Sequence, residues 1–413
     1  MHSDIVASPN TLHKRRTISS ENKNADTVNQ KKEPQQITVT GFPQQFVRLL
    51  MWATILFLAF RKYGSVKTAL RKVTQLKELR NRYRNSFTLQ KFVRNGFRFY
   101  ASFNIPAWPS NAFNRYVDRQ FTRLDDPGAA TLHTIIFGIT KKCGFQCEHC
   151  YEWEQLNKPE TLSKDDLLTI IQRFHKVGVS QVQITGGEPL NRFNDLLYLL
   201  QQSPAGIDYW VYTTGFSLTV EKAKQLKQSG LAGITVSLDH PVAEQHDKFR
   251  GVKNAYARAL QAVANARKVG LPVCFSLCAT KEFITDGNLY AYATLAKSEG
   301  VSFIQILEPK AVGHYAGKDV HLSTAHKTLL NEFYETINYG KEYSGYPIVV
   351  YPGYYGRNIG CSGGGVDYLY VDTDGDIHNC PFCQQKLFSS LHSNLDQHII
   401  QMRTKGCAAF SSR

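Results

Sequence analysis

Between residues 131 and 310, short apolar runs alternate with segments whose apolar residues recur every three or four positions. The runs are LHTIIFGIT (132–140), SQVQITG (180–186), DYWVYTTG (208–215), GITVSLD (233–239), PVCFSLCAT (272–280) and SFIQILEP (302–309). Strands that are apolar without alternation are buried on both faces, which happens when helices cover a parallel sheet. Six strand–helix repeats predict an open or closed βα barrel, whose ligand site lies at the carboxyl ends of the strands. One intervening helix carries its own boundaries. Ser163 with Asp166 reads as a cap, Leu167, Leu168, Ile171 and Phe174 as the buried face, and Gly178 as the stop.

The pattern differs on either side of this block. Residues 1–40 are polar, rich in Ser, Asn, Lys, Gln and Thr, and bury too little surface to offset chain entropy, so disorder is expected. Leu49 to Phe60 is an uncharged apolar run, short against the roughly 20 residues a membrane-spanning helix needs. Val66, Leu70, Val73, Leu76, Leu79 and Tyr83 then recur at helical spacing between Lys and Arg residues. A helix with one apolar and one cationic face suits a membrane interface, and docking on the protein's own core is the alternative. Beyond residue 341, VDYLYVDTDGDIHNC reads as two strands turning at Asp374-Gly375.

Charge sharpens the N-terminal picture. The chain of 413 residues has a formal net charge of +15. Residues 41–100 hold thirteen Lys or Arg against the single acid Glu78, so +12 of the excess lies there. Such a field points to an anionic partner: a membrane surface, nucleic acid or a phosphorylated substrate. The near-neutral remainder speaks against nucleic-acid binding by the main domain. The first forty residues lack the apolar core of a secretory signal, and the nine cysteines cluster at short spacings. A reducing, cytoplasmic setting with metal ligation is therefore expected, peripheral at the inner face of the membrane.

The sharpest cluster is CGFQCEHC, with Cys143, Cys147 and Cys150 directly after the first barrel strand. Three thiolates on one short loop can hold three irons of a cluster and leave a fourth open. Zinc on these cysteines and His149 is the structural alternative, disfavoured because the adjacent His149 and Cys150 converge poorly on one small ion. Cys274 and Cys278 lie four apart on one strand, about 13 Å at the usual rise, too far to share a cluster. They are expected to be buried core thiols.

CGFQCEHCY resembles the CxxxCxxC signature of the radical S-adenosylmethionine (SAM) superfamily, ITGGEP at 184–189 resembles its glycine-rich turn, and VSLDHPVAEQHDKFRG at 236–251 its fourth-strand segment. The three agree in order and strand placement over about 180 residues. The resemblance implies that Cys143, Cys147 and Cys150 ligate a [4Fe-4S] cluster whose open iron chelates SAM. It implies that Gly186, Gly187 and Glu188 hold the methionine amine, that Ser237 and Asp239 face the ribose, and that His149 packs near the adenine. Reductive cleavage of SAM would then give a 5′-deoxyadenosyl radical that attacks an organic substrate, with electrons from a protein such as flavodoxin or ferredoxin. At TTGF (213–216), Thr214 stands where many relatives have Asn.

Cys361, Cys380 and Cys383, with Gly375 between them, resemble the start of the SPASM and Twitch extensions, which hold auxiliary iron–sulfur clusters. Cys407 would complete one such site, and a structural zinc remains its rival. The expected fold is α/β, a partial (β/α)6 TIM-like barrel with a small C-terminal metal-binding β-hairpin extension and a helical basic N-terminal segment. The expected organisation is disorder over 1–40, the basic amphipathic helical segment over 41–124, the radical SAM core over 125–320 and the auxiliary-cluster region over 321–413. The basic, apolar N-terminus favours a membrane lipid or isoprenoid substrate. A SPASM/Twitch-type peptide maturase is the enzymatic alternative. A non-catalytic, metal-stapled scaffold that binds membrane or nucleic acid is the alternative of another class.

Overall fold

Each of the six apolar runs forms a strand in the computed structural model, which describes residues 37–83 and 90–405. Residues 1–36, most of the segment expected to be disordered, and Cys407 lie outside the described residues. The N-terminal part comprises β1 (Ile37–Val39), α1 (Gly41–Tyr63), α2 (Val66–Tyr83), β2 (Phe92–Asn95), β3 (Arg98–Tyr100) and α3 (Asn111–Asp125). It is therefore not wholly helical. Asn95 pairs with Arg98 across the two-residue turn Gly96-Phe97, whose first central position has a φ of 60°, a conformation that favours glycine. β2 of this hairpin also gives the β-branched Ile37, Thr38 and Val39 an antiparallel partner, so the last residues of the 1–40 segment are ordered as β1.

The barrel follows as β4 (Thr134–Gly138), α4 (Lys164–Lys176), β5 (Gln181–Thr185), α5 (Phe193–Gln202), β6 (Asp208–Thr213), α6 (Val220–Gln228), β7 (Leu231–Ser237), α7 (Ala243–Arg250), α8 (Ala255–Lys268), β8 (Val273–Cys278), α9 (Asp286–Ser298) and β9 (Phe303–Leu307). The C-terminal part adds α10 (Thr324–Tyr339), β10 (Ile348–Val350), α11 (Pro352–Ile359), β11 (Tyr368–Val371), β12 (Asp376–His378), β13 (Phe388–Ser389) and α12 (Leu395–Lys405). The six barrel strands lie side by side in chain order and all parallel. The sheet then extends at both ends: β10 joins β9 in parallel, and β11 joins β4 in parallel before the antiparallel β12 and β13. The outermost strands, β10 and β13, do not pair, so this is an open, partial barrel.

The helices cover the sheet as amphipathic pattern dictates. In α4 the buried face is Leu167, Ile170, Ile171 and Phe174; Leu168 is only half-buried. Each fully buried side chain contributes about 1.5–3 kcal/mol. Ser163 and Asp166 form a reciprocal capping box at its start. The amino-terminal end of the barrel is closed from below by Tyr100 and Phe103, whose rings meet Trp210 at 6.1 and 5.5 Å. Trp210 itself lies over Gly233 on the neighbouring strand, where any Cβ would run into the indole. Gly233→Ala is therefore expected to cost about 1–3 kcal/mol through overpacking, read as a lowered thermal unfolding midpoint.

The N-terminal helices depart from the expected surface arrangement. The apolar stripe of α2 turns inward, with Ala69 and Leu76 buried and Val73 packed against the same cluster. Helix α1 is 23 residues long, enough by length and composition to cross a membrane, yet Val47, Met51, Ile55 and Ala59 pack on α2 and α3. Its opposite side carries Phe42, Phe46, Leu49, Phe57 and Phe60, all exposed. At 100° per residue these five fall within one arc that holds no polar residue.

Candidate radical SAM site

The cysteine loop leaves β4 without regular structure and is clamped from three directions. At its root, Gly187 N–H donates to Thr140 O (2.7 Å) and Glu188 N–H to Lys142 O (2.8 Å). A Cβ on Gly186 or Gly187 would run into those same carbonyls, so the glycine pair is needed for this approach. Asn157, at a φ of 62°, accepts from Cys143 N–H (3.1 Å) and donates to Cys143 O (2.9 Å). Across the barrel, Gln146 and Glu148 N–H groups donate to Arg250 O and Phe249 O at the end of α7, at 3.2 and 3.1 Å. After β9, His314 N–H donates to Cys150 O (2.9 Å), and its Nδ1 lies 2.9 Å from Cys147 O. The His314 ring stacks on Trp153 at 3.9 Å. Gly313 is required there, because a Cβ would run into Cys150 O.

One cavity of about 1170 Å³ opens over this loop. Cys143, Cys147, Cys150, His149, Gly186, Gly187, Ser237 and Asp239 all line it. Cys147 is buried and the other two thiols are half-buried. Burial pushes Cys143 up to about 11 and Cys150 up to about 12. Three thiols raised in this way are poised for a cation, whose charge offsets the desolvation of their thiolates. Among the described residues, no group of three or more His, Cys, Asp or Glu side chains already has the geometry to hold a metal ion. What fits an iron–sulfur cluster is the donor chemistry: three cysteines on one wall, beside a glycine turn that leaves backbone close to the cavity.

Arg250, inside the 236–251 segment but given no role by the motif reading, touches this wall. Its Nη1 donates to Cys147 Sγ (3.5 Å) while Nε and Nη2 both reach Asp239 Oδ2 at 2.6 Å. Asp239 Oδ1 accepts from Cys278 N–H (2.9 Å). Burial pushes the Asp239 carboxyl up, but the Arg250 guanidinium outweighs it and holds the carboxyl below its usual range. Both oxygens of Asp239 are thus engaged within the protein, one on Arg250 and one on Cys278 N–H. Ser237, two residues earlier, lines the cavity at the end of β7. His149 stacks on Phe249 at 4.9 Å, and its Nδ1 is buried with no partner. Burial, reinforced by Arg250, lowers its pKa to about 4, so the ring is neutral at pH 7.

Glu188 is buried and does not line the cavity. Oε1 accepts from Thr213 Oγ1 (2.8 Å) and Leu190 N–H (3.1 Å), and Oε2 from the backbone and hydroxyl of Thr214, both at 2.7 Å. The unusual TTGF pair is therefore the seat of this carboxylate. Cys274 and Cys278 are both buried, and burial raises both thiols.

Cys361, Cys380 and Cys383 line the same cavity. Cys380 Sγ lies 3.4 Å from Cys383 Sγ, and Cys361 Sγ accepts from Gly363 N–H (3.3 Å). His378 is committed elsewhere, with Nε2 on Asp372 Oδ2 and Nδ1 on Cys383 O, each at 2.9 Å. Between the two cysteine sets, buried Glu152 accepts from Tyr370 on β11.

A parallel open barrel with CxxxCxxC after its first strand and a glycine turn after its second defines a class, and comparison with known proteins agrees. Residues 137–289 match the Radical SAM superfamily, the one that the motifs resemble. Among curated relatives, an AdoMet-dependent heme synthase of Nitratidesulfovibrio vulgaris is 27% identical over 173 residues, covering 42% of this chain and 46% of that protein. A GTP 3′,8-cyclase of Xanthomonas axonopodis pv. citri is 31% identical over 195 residues, covering 45% and 58%. The chain thus spans about half the length of the curated relatives it matches. Among solved structures, SAM-bound SuiB of Streptococcus suis superposes with a TM-score of 0.54 over 84% of this chain and 80% of its own. At 13% identity, that likeness speaks to the fold.

Proposed function

We propose that this chain is a radical SAM enzyme acting on a membrane lipid or isoprenoid. Cys143, Cys147 and Cys150 would hold a [4Fe-4S] cluster with one iron left for SAM. Bound there, cluster and SAM supply a 5′-deoxyadenosyl radical by one-electron reduction of the sulfonium. The chain's own residues orient and shield. The backbone of Gly186 and Gly187 would approach the methionine end, and Glu188 would contribute through its backbone while its side chain braces the turn. Ser237 would meet the ribose and neutral His149 the adenine. Asp239 acts indirectly by fixing Arg250 against Cys147. Cys361, Cys380 and Cys383, with Cys407, would hold an auxiliary iron–sulfur cluster, and iron against zinc content after Cys380→Ala decides between that and zinc. A flavodoxin- or ferredoxin-type protein would supply electrons.

The observation that carries this reading is the shared cavity lined by the three cysteines, the glycine pair, His149 and Ser237. The lipid preference is supported by the bare apolar face of α1 beside a cationic α2. The test is anaerobic reconstitution with iron and sulfide, reduction and addition of SAM. Formation of 5′-deoxyadenosine is expected. A protein that assembles its cluster yet yields none under several reductants would remove the enzyme reading.

Arg250→Gln supplies a finer check. Removing a cation beside a cluster thiolate disfavours the reduced state, so the midpoint potential is expected to fall by on the order of tens of millivolts. Redox titration followed by electron paramagnetic resonance reads it, and an unchanged potential would show that Arg250 serves only the fold.

A further inference from the structure

The cavity over the cysteine loop does not end at the barrel wall. It also takes in Met51 and Ile55 of α1, Leu76 and Leu79 of α2, and Phe113 and Val117 of α3. None of these belongs to the radical SAM domain at 137–289. They are all apolar, and the stretch between them and the cysteines runs past Ala101, Ile105 and Ile136. A pocket for a drug-sized ligand spans roughly 300–1,000 Å³. At about 1170 Å³ this cavity exceeds that range, and apolar side chains predominate in its additional arm, with Arg80, Gln120 and Arg123 as polar neighbours.

We infer that this arm is a binding site for the hydrocarbon chain of a membrane amphiphile, with the chain lying among α1, α2 and α3 and the reacting end reaching the cysteine loop. Two observations select that occupant. First, α1 forms a wall of the arm with Met51 and Ile55 and presents Phe46, Leu49 and Phe57 outward from its other side. One helix thus separates the arm from a surface fit for a bilayer, giving a chain a short route inward. Second, Lys67, Arg71 and Lys77 are exposed on α2, the helix packed against α1, which suits the anionic head groups of such amphiphiles. The predominance of apolar side chains favours an alkyl or prenyl chain, because most amides of a peptide backbone there would find no partner. The inference rests on the proposed lipid substrate, but its test does not use SAM cleavage.

The test uses full-length protein and pyrene-labelled dodecanoic acid as probe. Saturable binding is expected, weakened about tenfold by Leu79→Trp, which fills the arm from a half-buried position. Phe46→Glu, on the outer face of α1, is expected to leave probe affinity within twofold. Thermal unfolding of each variant runs in parallel. Should Leu79→Trp unfold, a diazirine-bearing fatty acid replaces it, with photolabel expected on Met51, Ile55 or Leu79. Absence of saturable binding, equal binding by Leu79→Trp, loss through Phe46→Glu alone, or label confined to the outer face of α1 would each overturn the inference. Formation of 5′-deoxyadenosine, measured separately, distinguishes its failure from failure of the enzyme reading.

Discussion

Cys147→Ala is expected to abolish 5′-deoxyadenosine formation, a fall of at least about 10³-fold, and to lower the iron bound at the first site. The argument separates chemistry from folding. The backbone around Cys147 is held by main-chain bonds from Gln146 and Glu148 to the end of α7, and by His314 on its carbonyl. None of these uses the sulfur. Arg250 loses one acceptor but keeps both contacts to Asp239. The loop should therefore stay in place while one of three thiolates disappears, with the thermal unfolding midpoint nearly unchanged before reconstitution. Cys274→Ala serves as the contrast. Cys274 is buried in the apolar barrel floor with Trp210 and Phe303, outside the lining of the cavity. That variant is expected to lose some stability but to retain cleavage. Equal cleavage by Cys147→Ala and wild type would contradict the assignment of the first site.

The barrel was readable because its strands are buried on both faces, so each announces itself as an unbroken apolar run. The cysteine loop and the glycine turn were readable because each is local. What was not readable depends on contacts far apart in the chain. Arg250 meets Cys147 across 103 positions, and nothing in its own helix distinguishes it from a surface arginine. Glu188 looked like a ligand for an ammonium group until Thr213 and Thr214 claimed both of its oxygens. Strand β10 is only three residues long, too short to stand out by pattern, and β11, legible as one arm of the hairpin at Asp374-Gly375, carried no sign that it pairs with β4 and extends the barrel. The Gly96-Phe97 turn carried only the glycine as a local signal, masked by the basic helical pattern before it. For α1 the difficulty is of another kind: a helix apolar on several sides does not tell which side its partner takes.

That last ambiguity leads to the second large effect. Replacing Phe46 and Phe57 together by Glu is expected to weaken binding to phosphatidylglycerol-containing vesicles by about 30- to 150-fold, the equivalent of about 2–3 kcal/mol of apolar insertion. Phe42 is 80% exposed and Leu49 65%, so the outer arc of α1 has found no cover within the described residues. A row of this kind on one helix face is suited to shallow burial at the boundary between head groups and acyl chains. Lys and Arg residues around it would add attraction of about 1 kcal/mol each near an anionic surface, so wild-type binding is expected to weaken as salt rises. The salt dependence should survive in the double variant, because the cations remain, while the salt-resistant part should vanish. Point variants are required for this test. Deleting residues 41–124 would also strip Tyr100 and Phe103 from the barrel floor and bare Trp210, creating a new sticky surface. Flotation of full-length protein with vesicles reads the result, and undiminished binding by the double variant would show that α1 does not insert.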